Sequence, residues 1–209
     1  MACAILERLV KSGLTTYLPH RKPRYSFSIS TRRQEHALEL SRRYPDAYIT
    51  ADNSDKKLWR FYDGNDAQSV PHIVLICTKP DQTHAVCQNM VAAHDTASAR
   101  HGTLPIVVTM CPGITIPTLE SWLTLSNGEG VFGVVRTMPN TPVSLRQGAT
   151  ALIASQRAAA VQLDRVVDLF RTVSPCVEIL SDESLLNVAA AISGYSNLHT
   201  ADPNASWLT

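Results

Sequence analysis

The stretch HIVLICTKP, residues 72–80, decides the fold that the sequence predicts. A continuous apolar run occupies 72–77, which is typical of a strand covered on both faces of a parallel sheet. Lys79 and Pro80 follow this run and predict a rigid turn. Residues 82–93 then have helical periodicity, so the stretch predicts a strand, a turn and a helix in succession.

Strands and helices alternate on both sides of this stretch. Upstream, residues 25–30 alternate polar and apolar side chains, and Thr31 to Gln34 has the form of a capping box that opens a helix through about Arg43. We predict further strands at 47–50, 104–110, 131–136, 149–154 and 177–180, and further helices at 4–10, 116–124, 156–173 and 185–192. The order predicts an α/β fold, a Rossmann-like and mainly parallel sheet with helices on both faces. Residues 56–69 are predicted to be a loop insertion.

The composition limits the possible functions. Apolar residues make up 44% and charged residues 18%, as in a globular chain with a sizeable core. With 19 basic and 18 acidic residues, the net charge of +1 offers no footprint for nucleic acid or an anionic membrane. No apolar stretch is long enough to span a bilayer, and the first residues lack a signal-peptide pattern. Scattered cysteines without a C-x-x-C pair predict reduced thiols, no metal site and a cytoplasmic protein.

Ligands of a doubly wound sheet bind beyond the carboxyl ends of its strands. Arg32 and Arg33 follow the strand at 25–30, where an NAD enzyme would place an acidic residue. A pair of guanidinium groups suits a 2′-phosphate, which favours NADP. The alternative is the solvated start of a helix, and the two arginines alone leave both interpretations open.

Three later segments also follow predicted strands. The turns Thr78-Lys79-Pro80 and Cys111-Pro112-Gly113 allow close approach of a ligand, although each alone is an ordinary strand-end turn. In RTMPNTP, residues 136–142, two prolines enclose Asn140 and Thr141. A rigid polar loop of this kind is typical of a site that needs preorganised donors, and a stiff crossover loop is the alternative.

The run VVRTMPNTPVSLRQGAT, residues 134–150, resembles the signature of pyrroline-5-carboxylate reductases, R-x-M-x-N-T-P followed by a Gly-Ala-Thr strand. CTKP at 77–80 is similar to the family's A-V-K-P turn. TMCPG at 109–113 is similar to its small-residue turn, with Pro112 where the family usually has Ala. Asn53 is similar to the family's asparagine near the adenosine. The resemblance extends from Met1 to about Gly194. The Met-Pro-Asn-Thr-Pro loop argues against the neighbouring β-hydroxyacid-dehydrogenase-like group.

The resemblance implies NAD(P)H-dependent reduction of 1-pyrroline-5-carboxylate, a small-molecule substrate, to L-proline. Arg32 and Arg33 predict that NADPH is preferred over NADH. The resemblance implies two groups of cofactor-binding residues and two further single residues. The adenosine group comprises Ser30, Arg32, Arg33 and Asn53. The turn group comprises Cys77, Thr78, Lys79, Pro80, Met110, Cys111 and Pro112, along the middle of the cofactor and the nicotinamide ribose. Asn140 is expected beside the nicotinamide, and Ala2 at the third small position of a phosphate-binding loop. No catalytic residue is named.

The resemblance also implies that the chain is a truncated form, incomplete at both ends. The family's first strand and two leading glycines would precede Met1. We expect residues 1–180 to form the NAD(P)-binding domain and 181–194 to begin the helix that leads to a dimerisation domain. The family's homo-oligomer interface would lie in that domain, and 195–209 are expected to be an irregular tail. The alternative is a catalytically inactive dinucleotide-binding or interaction module derived from such an enzyme.

Overall fold

The computed structural model of the protein describes residues 5–7, 27–59, 73–95, 104–126, 128, 132–140, 142 and 148–190. Its elements, in chain order, are β1 (Ser28–Ser30), α1 (Gln34–Arg43), β2 (Tyr48–Thr50), α2 (Lys56–Trp59), β3 (Ile73–Ile76), α3 (Pro80–Asp95), β4 (Ile106–Thr109), α4 (Ile116–Trp122), β5 (Val134–Pro139), β6 (Ala149–Ala154), α5 (Ala160–Arg171) and β7 (Cys176–Ile179). Residues 5–7 are also helical, and residues 184–190 form α6. No helix among these residues has both the length and the apolar character needed to cross a membrane.

The strands form two ladders. β1 and β2 pair in parallel, and β3 to β7 form a five-stranded sheet in sequence order. The pairs β3–β4, β4–β5 and β6–β7 are parallel, whereas β5 and β6 are antiparallel. A connection of residues 140–148 is too short for the crossover that a parallel pair requires. The prediction of a mainly parallel Rossmann-like sheet is confirmed.

Two apolar cores lie on opposite faces of the larger sheet, because neighbouring residues of a strand point to opposite sides. Val107 and Val134 pack with residues of α3 and α4 on one face. Val108 and Val135 pack with residues of α5 on the other face. The expectation of helices on both faces is therefore confirmed, and each core is a separate cluster.

β4 is more deeply buried than its neighbour β3. All four residues of β4 are buried, since β3 and β5 flank it. In β3 only Ile76 is buried, and residues 73–75 are half-buried. Val74 packs against the core on one face of the sheet, and Ile73 and Leu75 pack against the core on the other face. The prediction of a strand covered on both faces is therefore confirmed, and the half-buried state of residues 73–75 reflects pairing on one edge only in the described part of the chain.

Several predicted boundaries differ from those observed. The capping box at 31–34 is wrong: Arg33 precedes α1 without a side-chain cap, and the Thr31 hydroxyl lies 3.2 Å from His36 Nδ1 instead. The strand expected at 131–136 lies at Val134–Pro139, and the helix expected at 156–173 is Ala160–Arg171. Val161 of that helix is exposed, whereas Val166, Val167 and Phe170 are buried.

The predicted loop insertion at 56–69 begins with a helix. The Asp55 carboxylate accepts a hydrogen bond of 2.9 Å from the Lys57 backbone N–H at the start of α2. Leu58 and Trp59 are buried in the core shared with α3 and α4, so apolar packing favours the helix over a loop. Residues 60–69, Ala2 and the expected tail 195–209 lie outside the described residues.

Replacing Leu119 of α4 by alanine tests the packing of the core beneath the strand-end turns. Leu119 is fully buried, so we expect Leu119→Ala to lower the free energy of unfolding by about 2–5 kcal/mol. Leu38→Ala in α1 is the matched control, because Leu38 is 53% exposed and its loss should change stability by about 0.5 kcal/mol at most. Denaturant unfolding measures both. Equal losses would contradict the observed packing.

Candidate functional site

The adenosine group lies at the ends of β1 and β2. The Ser30 hydroxyl donates a hydrogen bond to Asn53 Oδ1, which joins the two strand ends. Asn53 is itself held in place, since its backbone carbonyl accepts a 2.8 Å hydrogen bond from the buried Trp59 indole. The Tyr48 hydroxyl bonds the Asp55 carboxylate, and this bond, with the Lys57 N–H, keeps the pKa of Asp55 below its usual value. The loop that carries Asn53 is thus fixed from both sides.

Arg32 and Arg33 are both exposed and line a groove of about 420 Å³ beyond β1. The other residues lining it are Thr31, Glu35, His36 and Glu39. Neither arginine forms an ion pair with any residue that the structure describes. Their guanidinium groups are therefore available to an anion that enters the groove, while Glu35 and Glu39 restrict its position to the arginine side.

The turn group lies at one edge of the larger sheet. In the parallel ladders, Ile76 is level with Thr109, and Thr109 is level with Arg136. The turns after β3 and β4 therefore leave the sheet at the same edge, and β5 continues beyond it to Asn140. This arrangement is the one that the strand-end rule predicts for a ligand site.

The turn after β3 is largely exposed to solvent. Cys77, Lys79 and Pro80 are exposed, and Thr78 is half-buried. Pro80 begins α3, where its missing N–H costs no helical hydrogen bond. The Lys79 carbonyl instead accepts a 3.0 Å hydrogen bond from the Gln82 N–H. The turn therefore presents the Lys79 side chain to solvent from a fixed backbone.

The second turn is held from inside the sheet. The Cys111 N–H donates a 3.0 Å hydrogen bond to the Thr109 hydroxyl, and Gly113 has a φ of +79°, which favours glycine. Cys111 is buried, whereas Met110 is half-buried and Pro112 is exposed. The neighbouring Cys87 thiol is not a nucleophile at neutral pH, because burial and the nearby Cys111 raise its pKa to about 12.

Asn140 extends the ladder between β5 and β6. Its N–H donates to the Ala149 carbonyl at 3.1 Å, and its Oδ1 accepts from the Ala149 N–H at 2.9 Å. Because Oδ1 is engaged, Nδ2 is the side-chain atom left to meet a ligand. Pro139 precedes Asn140 in the strand, as the sequence indicated, and Thr141 lies outside the described residues.

Thr83 joins the two turns and was missed in the sequence. This residue of α3 is fully buried, and its hydroxyl contacts Thr78 Oγ1 at 3.0 Å, the Lys79 carbonyl at 3.0 Å and Cys111 Sγ at 3.4 Å. The contact with Lys79 is the common helical bond to residue i−4. The contact with Cys111 spans 28 residues, and no periodic pattern could have predicted it.

No cluster of His, Cys, Asp and Glu that could hold a metal ion occurs in the described ranges. The strand-end turns at the carboxyl edge of a mainly parallel sheet define the chain as a Rossmann-like α/β protein. The solved structures it resembles include a pyrroline-5-carboxylate reductase from Coxiella burnetii, with a TM-score of 0.67, 26% identity and coverage of 95% of this chain and 62% of that one. Another is a Plasmodium falciparum pyrroline carboxylate reductase with NADP bound, with a TM-score of 0.64, 16% identity and coverage of 95% and 60%.

The curated sequence relatives are pyrroline-5-carboxylate reductases as well. No family model matches the chain. A Gibberella fujikuroi delta-1-pyrroline-5-carboxylate reductase is 41% identical over 169 residues, which are 80% of this chain and 55% of the relative. A Pseudomonas aeruginosa pyrroline-5-carboxylate reductase is 33% identical over 122 residues, 58% of this chain and 40% of the relative. The chain is a homologue of pyrroline-5-carboxylate reductases and spans about half the length of these curated relatives.

Thr83→Val tests whether the hydroxyl holds the second turn. Valine keeps the shape of threonine but removes about 1 kcal/mol per hydrogen bond, so the turn should open more often and Cys111 should be alkylated about fivefold faster. Mass spectrometry of the Cys111 peptide separates this rate from those of the exposed cysteines. Thr83→Ser, which keeps the hydroxyl, should react at the wild-type rate. Equal rates for the valine and serine variants would contradict the role.

Proposed function

We propose that this chain is the cofactor-binding part of an enzyme that reduces 1-pyrroline-5-carboxylate to L-proline with NADPH. The observation that carries this proposal is the 41% identity with the Gibberella fujikuroi reductase. Because that match takes in 80% of the chain, it includes the turns at 77–80 and 110–112 and also Asn140. These are the positions at which a sheet of this class presents its ligand.

We assign the adenosine end of NADPH to the groove beyond β1. Arg32 and Arg33 would bind the 2′-phosphate, since both guanidinium groups are exposed there and lack an ion-pair partner in the described part of the chain. No acidic residue ends β1, whereas an NAD enzyme uses one to bind the ribose hydroxyls. Ser30 and Asn53 would contact the ribose, and this charge pattern favours NADPH over NADH.

We assign the nicotinamide end to the sheet edge. NADPH supplies the hydride when it is bound, and the protein must hold and orient it. The backbone of the turns at 77–80 and 110–112 would line the middle of the cofactor and its nicotinamide ribose. Asn140 Nδ2 would meet the carboxamide, since its Oδ1 is engaged with Ala149. We assign no catalytic residue within the described ranges.

The rest of the protein is proposed from the same homology. Residues 1–180 would form the nucleotide-binding domain, and 181–194, which include α6, would begin the helix toward a helical domain. That domain would supply the imine-binding residues and a homo-oligomer interface. The scattered cysteines, four of which are free thiols in the described residues, support a cytoplasmic location.

Replacing Arg32 and Arg33 by alanine tests the cofactor assignment. Charge-assisted hydrogen bonds contribute about 1.5–3 kcal/mol, so the double variant should weaken NADPH binding by at least about tenfold and NADH binding much less. Calorimetric titration measures both affinities in the chain extended at both ends with the segments of the Gibberella fujikuroi reductase that its alignment does not cover. Arg42→Ala with Arg43→Ala is the matched control, because this pair lies at the opposite end of α1. Equal weakening of NADPH and NADH would exclude the 2′-phosphate role.

A chimera tests the reaction itself. The chain is joined to the portions of the Gibberella fujikuroi reductase that its alignment does not cover. We expect the chimera to oxidise NADPH only when 1-pyrroline-5-carboxylate is present, with L-proline as product, because both halves of the site are then supplied. The intact relative is the positive control. A folded chimera that binds NADPH but forms no proline would instead support a binding module.

A further inference from the structure

One carboxylate oxygen of Glu183 joins three elements of the fold. Glu183 lies between β7 and α6, and its Oε1 accepts hydrogen bonds from Arg136 Nη1 of β5 and, at 2.8 Å, from the N–H of Ile116 in α4. The Arg136 side chain is only 4% exposed and that of Glu183 is 26% exposed. This contact spans 47 residues to Arg136 and 67 to Ile116, and none of the proposed ligand contacts includes it.

The contact lies next to the second turn of the turn group. Arg136 is level with Thr109, the last residue of β4, in the parallel ladder. Ile116 is the first residue of α4, so the segment from Met110 to Thr115 is the whole connection between that strand and that helix. Thr83 and Thr109 hold the beginning of this connection through Cys111. Glu183 holds its end.

Because Arg136 is buried, replacing Glu183 by an uncharged residue would leave the guanidinium charge of Arg136 uncompensated. The Nε atom of Arg136 is buried and has no hydrogen-bond partner in the described residues, so the ion pair with Glu183 is what compensates the guanidinium charge there. An uncompensated buried charge is strongly destabilising, and a structure relieves it by moving the charge toward water. Loss of the Glu183 charge should therefore displace both the Arg136 side chain and the start of α4.

We infer that Glu183 is a positioning residue for the nicotinamide end of the cofactor, acting through the turn at 110–112. The inference rests on the proposed NADPH site. Glu183 touches neither cofactor nor substrate in this assignment, and it fixes the turn between Thr109 and Ile116. Since Glu183 directly precedes α6, the same carboxylate also ties the start of that helix to the turn. The adenosine group lies on β1 and β2, in the separate ladder, and does not depend on this contact.

The test compares two ligands that share one end. Adenosine 2′,5′-bisphosphate carries the adenosine and the 2′-phosphate, whereas NADPH also carries the nicotinamide half. In the chimera with the Gibberella fujikuroi reductase, which extends the chain at both ends, Glu183→Gln should weaken NADPH binding by about tenfold and leave the bisphosphate within about twofold, as measured by calorimetry. Glu178→Gln is the matched control, because Glu178 is an exposed glutamate of β7, and both affinities should stay at the wild-type values.

The remaining outcomes distinguish failure of the positioning role from failure of the proposed function. Equal weakening of both ligands, or no change in either, would overturn the positioning role, because a general loss of folding acts on both ends. A folded chimera with Glu183 unchanged that binds neither ligand would overturn the proposed function itself and the inference with it. If Glu183→Gln lacks a cooperative melt, Glu183→Asp takes its place, since it keeps the charge and shortens the reach. The same selective loss of NADPH is then expected, and an unselective loss would contradict the inference.

Discussion

The parallel pairing of β4 with β3 and β5 is the constraint on which the candidate site depends. β4 is buried along its whole length, so its backbone groups must be satisfied by its two neighbours, and the ladder fixes their register. That register brings the ends of β3 and β4 to one edge and carries β5 beyond it. The turns at 77–80 and 110–112 are adjacent because their strands are paired, although 30 residues separate Lys79 from Thr109 in the sequence.

The strand pairing positions the turn after β4, and side-chain hydrogen bonds hold its conformation. The second turn has few backbone hydrogen bonds of its own and includes Gly113 at a positive φ. Thr109 and Thr83 bind its beginning through Cys111, and Glu183 binds its end through Ile116. A ligand that meets a turn already held in this way loses less conformational freedom on binding, and preorganisation of this kind contributes to affinity.

The sequence predicted which segments lie at the candidate site, but it did not predict the side-chain contacts that hold those segments in position. The turn at 77–80 and the arginine pair follow strands, and the rule that ligands lie beyond strand ends needs only strand periodicity and a parallel order. The capping box at Thr31 was wrong because the Thr31 hydroxyl contacts His36 instead of the helix backbone. The helix at 56–59 was missed because burial of Leu58 and Trp59, a tertiary effect, decides it. Thr83 and Glu183 act on partners 28 to 67 residues away, which local patterns do not encode.

The two ladders offer a ligand different kinds of contact. The β1–β2 pair carries exposed arginines and a bonded Ser30–Asn53 pair, so charge and polar contacts dominate there. The five-stranded sheet carries buried hydroxyls and a buried ion pair behind turns whose outer residues are exposed. A long ligand that spans both regions would receive electrostatic attraction from the first and fixed geometry from the second. Electrostatic attraction of an anionic group tolerates small differences in its position. Transfer of a hydride, in contrast, requires that the two reacting atoms lie within a narrow range of distances. In the proposed enzyme, the contacts of Thr83 and Glu183 behind the turns would supply that geometry, and the arginine groove would supply the attraction.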